Sequence, residues 1–86
     1  MKKITVKVNN PTGLHARPAS LLVKEASKFK SSIFLTKNNK DFNAKSIINV
    51  MAMGAVNGDE IILKVEGEDE DIALISIKNF IEGFEE

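Results

Sequence analysis

The sequence predicts an α+β fold, a two-layer sandwich with element order β-α-β-β-α-β-α. Polar–apolar alternation marks strands with one buried face. Apolar residues at helical spacing mark helices with one apolar side. Alternating strands need a cover on one face, and three one-sided helices can supply it. With 86 residues, 43% of them hydrophobic, the chain can bury one modest core, so one domain is expected over 1–86. There is no internal repeat, low-complexity tract or linker.

Each element follows from local pattern. Lys3-Ile4-Thr5-Val6-Lys7-Val8 alternates as a first strand, and Asn9 to Gly13, with Pro11, is a loop. From Ala16 a helix carries Ala19, Leu22, Val23, Ala26 and Phe29 on one side, with Pro18 in its first turn and Lys28 and Lys30 near its C-terminus. Ser32 to Lys37 is a second strand with Ile33 and Leu35 inward. Asn38-Asn39 then makes a two-residue hairpin turn into a short third strand holding Phe42. Ser46 starts a short helix, Ile47 to Met53, that ends at Gly54. Asn57-Gly58 is a turn, and Glu60 to Glu66 is a fourth strand broken by Gly67. Asp69, Glu70 and Asp71 load the first turn of a last helix with negative charge, and that helix buries Ala73, Leu74, Ile77, Phe80 and Ile81.

Composition narrows the function. The absence of cysteine rules out disulfides and thiolate metal sites and fits a reducing cytoplasm. One histidine without cysteines also lacks the ligands for a metal site, so no metal and no cofactor are expected. No apolar run approaches a membrane span, and Met1-Lys2-Lys3 leads into alternation rather than a signal-peptide core, so a cytoplasmic protein is expected. Net charge is zero, which disfavours nucleic acid as a partner. The charge is lopsided along the chain. Residues 1–45 hold ten basic and two acidic residues, and residues 46–86 hold two basic and ten acidic. Either the first half meets phosphate or an acidic partner, or strands from the two halves pair and the charges mix.

Gly13-Leu14-His15-Ala16-Arg17-Pro18-Ala19 carries the chemistry. It puts the only histidine just before the first turn of a helix, with an arginine two residues on. The first helical N–H groups lack intrahelical partners and sit at the positive end of the dipole, which favours an anion, above all a phosphoryl group. An imidazole there can act as nucleophile and phosphoryl acceptor. Arg17 offers paired N–H donors to phosphate oxygens, a geometry lysine cannot match, and the backbone N–H groups of Ala16 and Arg17 add more. Gly13 begins no P-loop, because no Gly-Lys-Ser/Thr follows.

This segment, together with Lys45-Ser46-Ile47, resembles the histidine-containing phosphocarrier (HPr) family of the phosphoenolpyruvate-dependent sugar phosphotransferase system. The likeness spans the chain in length, element order and both motif positions. It implies an open-faced sandwich with a four-stranded antiparallel sheet. It implies a carrier rather than an enzyme: enzyme I phosphorylates His15, on Nδ1, and the group passes to sugar-specific enzyme IIA domains. It further implies phosphorylation of Ser46 by an ATP-dependent HPr kinase/phosphorylase and binding of a catabolite repressor, as in many Gram-positive bacteria. Ile48 and Asn49 depart from the methionine and glycine frequent at those positions.

Ser46 is also a good helix N-cap by type. A short helix has one buried side, so Ile47, Ile48, Val50, Met51 and Met53 cannot all be core. Ile47, Ile48 and Met51, with Leu21, are expected to form a partner-docking patch beside His15. A monomer is the default expectation. The competing classes are a regulatory HPr-like module acting mainly through Ser46 in carbon catabolite control, and a small nucleic-acid-binding domain. The presence of His15 ranks the first of these second, and the zero net charge argues against the other.

Overall fold

The structure, a computed structural model, describes residues 1–83, so the last three residues of the expected 1–86 domain lie outside it. The elements are β1 Lys2–Lys7, α1 Ala16–Ala26, β2 Ser32–Lys37, β3 Lys40–Asn43, α2 Ile47–Met53, β4 Glu60–Glu66 and α3 Glu70–Gly83. The four strands form one antiparallel sheet in the order β1-β4-β2-β3. The open-faced architecture is thus as expected.

Register sorts the side chains onto two faces, because successive residues of a strand point to opposite sides. Ile4, Leu63, Leu35 and Phe42 pair in one row across all four strands. Leu35 and Leu63 are fully buried, and Ile4 and Phe42 pack beside them. The next row, Thr5-Ile62-Thr36-Asp41, lies on the opposite face, where Ile62 and Phe34 remain exposed. The helices cover the first face with Ala19, Leu22 and Ala26 of α1, Val50 and Met53 of α2, and Ala73, Ile77 and Ile81 of α3. Leu74 and Phe80 are only partly buried against this core.

Three boundaries differ from expectation. β1 spans Lys2–Lys7, and Val8 instead bonds the turn before β4, its N–H donating to the Asp59 carbonyl and its own carbonyl accepting from Gly58 N–H, each at 2.8 Å. α1 stops at Ala26 rather than running through Phe29. There Ser27 gives both its N–H (2.9 Å) and its hydroxyl (2.7 Å) to the Val23 carbonyl, while Lys28 N–H and Phe29 N–H turn back onto Glu25 and Ala26 in tight three-residue steps. Phe29 keeps its place against the core from outside the helix. Asp69 precedes α3 rather than joining its first turn. Its carboxylate accepts from Lys30 N–H and Ser31 N–H, both at 2.9 Å, and from the Ser31 hydroxyl. The Ser31 hydroxyl and these amides hold the Asp69 carboxyl down at about 2.

The two charge-biased halves mix in space. β1 pairs with β4, and ion pairs join Lys2 to Asp71 (3.4 Å), Lys30 to Glu68 (4.0 Å) and Lys37 to Asp59 (3.0 Å).

Candidate functional site

The loop leading to His15 is stitched to the segment between α2 and β4. Asn10, fully buried, donates its N–H to Asn57 Oδ1 at 3.1 Å and accepts from Gly13 N–H at 2.8 Å. Its side-chain Oδ1 accepts from the N–H and the hydroxyl of Thr12, both at 3.0 Å. Leu14 N–H donates to the Ala55 carbonyl at 2.9 Å, and the Leu14 side chain is buried. Gly13, at φ +69°, makes this approach possible: a Cβ there would overlap the Ala55 carbonyl oxygen and lie 2.9 Å from Val56 Cα. The receiving segment is itself fixed by Lys37, whose ammonium donates to the Gly54 carbonyl at 3.0 Å and pairs with Asp59 at 3.0 Å. Asp59 accepts Val56 N–H at 2.9 Å, and that bond, with Lys37, lowers its carboxyl below the ordinary range.

From this anchored base the chain surfaces. His15, Ala16 and Arg17 are exposed, and buried Leu14 on one side and buried Pro18 and Ala19 on the other fasten them. His15 is the N-cap of α1 with extended backbone (φ −135°, ψ 155°), and its side chain makes no capping hydrogen bond. A serine or aspartate at this position would turn its oxygen onto the first-turn amides. An imidazole that leaves them alone keeps them available to an anion. Among the described residues Arg17 joins no ion pair, so its guanidinium is likewise free.

Sequence reasoning missed the backbone of Ala16. It sits at φ +50°, in the left-handed region that costs an alanine roughly 1–2 kcal/mol. Alanine carries no composition signal for such a position, so nothing in the residue type could have revealed it. Strain of this kind persists only where neighbours over-determine the geometry, and here they are the Gly13–Ala55 contact before it and buried Pro18–Ala19 after it.

The other expected residues lie on α1 and α2, which pack together. Ile47 is 40% exposed and Ile48 76% exposed. Leu21 and Met51 are half-buried, and Met51 packs against the core, so the expected apolar patch is carried mainly by the two isoleucines. Ser46 is the N-cap of α2, its hydroxyl oxygen accepting from Asn49 N–H at 3.4 Å. α2 ends at Gly54, whose left-handed φ of +66° reverses the chain directly into Ala55, the residue that anchors Leu14. α2 and the His15 loop therefore share one scaffold. Among the described residues no cluster of His, Cys, Asp and Glu is placed to hold a metal, and no helix is long and apolar enough to cross a membrane.

Residues 2–83 match the family model for the PTS HPr component phosphorylation site. The chain belongs to the HPr family. It is 49% identical to the phosphocarrier protein HPr of Mycoplasma pneumoniae over 83 residues, 95% of this chain and 94% of that one. A crystal structure of HPr from Thermoanaerobacter tengcongensis superposes with a TM-score of 0.93 over 100% of both chains at 46% identity. HPr from that organism is also solved as a dimer, which does not fit the expectation of a monomer. The HPr-like protein Crh of Bacillus subtilis is 44% identical over 90% of this chain and 91% of its own. HPr proteins are phosphocarriers rather than enzymes, and this chain shares their fold throughout.

Proposed function

We propose that this protein accepts a phosphoryl group on His15 from phosphorylated enzyme I and hands it to enzyme IIA domains during sugar uptake, acting in the cytoplasm as one domain. The observation that carries this reading is the exposed His15 at the start of α1, with first-turn amides that its own side chain leaves uncapped. A ring nitrogen attacks phosphorus, the N–P bond forms, and the bond to enzyme I breaks. Little covalent chemistry falls to the protein, because phosphoryl transfer depends mainly on alignment and charge stabilisation. The amides of Ala16 and Arg17 and the Arg17 guanidinium receive the phosphoryl oxygens. An exposed site suits a carrier, since donor and acceptor must both reach the same nitrogen.

The surface around it fits two kinds of contact. Ile47 and Ile48 offer apolar area for docking. Arg17 and Lys24 are the exposed charged residues of α1, a basic pair suited to acidic partners, whereas Lys28 and Lys30 in the turn after it pair with Glu25 and Glu68.

His15→Ala is expected to take no label from phosphoenolpyruvate and enzyme I while keeping the circular dichroism of the parent. Normal labelling of that variant would refute the reading.

A second function is favoured by Ser46 and by the likeness to Crh. We infer that an ATP-dependent HPr kinase/phosphorylase modifies Ser46 and that the modified form engages a catabolite repressor. A phosphate at a helix start is tolerated or stabilising, so the change acts on docking rather than on the fold. A mass increase confined to Ser46 after incubation with kinase and ATP tests it.

A further inference from the structure

We propose that Asn49 restrains Ser46: its side-chain amide must release the Ser46 hydroxyl before that oxygen can take a phosphoryl group, so Asn49 sets how fast Ser46 is modified. The inference rests on the Ser46 reading above and concerns its control.

The Ser46 oxygen accepts two hydrogen bonds from one residue, from Asn49 N–H at 3.4 Å and from Asn49 Nδ2 at 3.2 Å. An ordinary capped serine receives only a backbone N–H. A hydroxyl oxygen has two lone pairs, and here both are engaged. The carboxamide orientation is fixed by its other end. Asn49 Oδ1 accepts Asn43 N–H at 3.3 Å, and a backbone N–H can only donate, so the –NH₂ must face Ser46. Asn43 in turn accepts Ser46 N–H at 3.1 Å on its carbonyl and Lys45 N–H at 2.9 Å on Oδ1. The end of β3, the cap and Asn49 are one closed network.

Transfer from a nucleoside triphosphate needs one of those lone pairs. The Oγ–P bond forms, the bond from the γ-phosphorus to the bridging oxygen breaks, the hydroxyl proton passes to a base of the kinase, and the nucleoside diphosphate departs. The backbone N–H cannot withdraw without undoing the cap of α2. The carboxamide can rotate away, but it then surrenders the Asn43 bond as well. Asn49 is therefore a positioning residue that slows modification of the unmodified state and touches none of the reacting groups at His15.

The test compares initial rates of Ser46 labelling by purified HPr kinase and radiolabelled ATP for the parent, Asn49→Ala and Val50→Ala. Asn49→Ala keeps the backbone cap and removes the carboxamide. It is expected to be labelled at least roughly two- to tenfold faster, the factor for releasing the Ser46 hydrogen bond alone, with unchanged acceptance on His15 from phosphoenolpyruvate and enzyme I. Val50 is fully buried, so Val50→Ala loosens α2 without touching Asn49, and its rate should stay at the parent value. An Asn49→Ala rate equal to or below the parent overturns the inference and leaves the Ser46 reading standing. Equal acceleration by Val50→Ala also overturns it, since general loosening would then explain the gain. If none of the three is labelled at Ser46 while His15 is still phosphorylated, the Ser46 reading fails and takes this inference with it.

Discussion

Gly13 decides where His15 stands. Its left-handed backbone and missing Cβ let the loop close on Ala55 and Val56, and the Leu14 anchor follows from that contact. Gly13→Ala adds a methyl group where the Ala55 carbonyl already lies, at an angle alanine resists. It should cost roughly 1–3 kcal/mol of stability by urea unfolding and slow acceptance on His15, because the displaced loop misaligns the ring. Arg17 makes a different case. It supports nothing in the fold among the described residues, so its substitution should leave stability unchanged. Arg17→Lys keeps the charge and loses the paired donor geometry. Transfer from enzyme I should slow by on the order of tenfold, the size of one charge-assisted hydrogen bond. A tenfold loss accompanied by a lower unfolding midpoint would instead make Arg17 a structural residue.

At the scale of elements, α2 is the clearest example of what the sequence could and could not convey. Its bounds, Ile47–Met53, are set by Ser46 before it and Gly54 after it, and both signals are local. β2 and β4 are legible for the same reason, each closed by turn residues beside it: Asn38 and Asn39, with φ of +54° and +65°, and Gly58 and Gly67. α1 ends early because Ser27 takes the Val23 carbonyl and because Asp69, far along the chain, captures the amides of Lys30 and Ser31. That competition is tertiary, and the apolar phase of Phe29 points the other way. The place of His15 at a helix start was legible, whereas its exposure, the Ala16 backbone and the double engagement of Ser46 depend on packing. The partial burial of Met51 also needed the third dimension, since α2 has too few turns for spacing alone to fix which flank faces in. The cap itself is testable. Ser46→Ala should cost about 1 kcal/mol in urea, with α2 amides exchanging faster and acceptance on His15 retained. A loss within error would mean that Gly54 and the buried Val50 and Met53 hold α2 without its cap.

Over the whole molecule, carboxylates at the surface add ties between elements that already meet in the core or the sheet. Asp69 links the start of α3 to the start of β2, and Glu25 joins α1 to α3 through Ser76 at 2.9 Å. Asp41 bridges β3, β2 and β4 through the Thr36 hydroxyl and Lys64, and Glu82 accepts Lys7 N–H at 3.2 Å from the end of α3. Each of these groups sits below its ordinary range. The leading causes are the Ser31 hydroxyl for Asp69, Lys28 for Glu25, Thr36 for Asp41 and Lys78 for Glu82, and Asp69 falls to about 2. A carboxyl whose folded value lies below its unfolded one binds protons more readily once unfolded, so acid pulls the chain toward the unfolded state. The stability these groups contribute is complete above the ordinary values of 3.8 and 4.5 and disappears as pH falls through the folded values, to about 2 for Asp69. The urea midpoint should therefore hold down to about pH 5 and then fall steadily toward pH 2. Asp69→Asn should lower the midpoint at pH 7 and flatten that fall, because a neutral amide has no charge to lose. A midpoint that rises on acidification, or an Asp69→Asn variant with the parent slope, would mean that these contacts do not stabilise the fold.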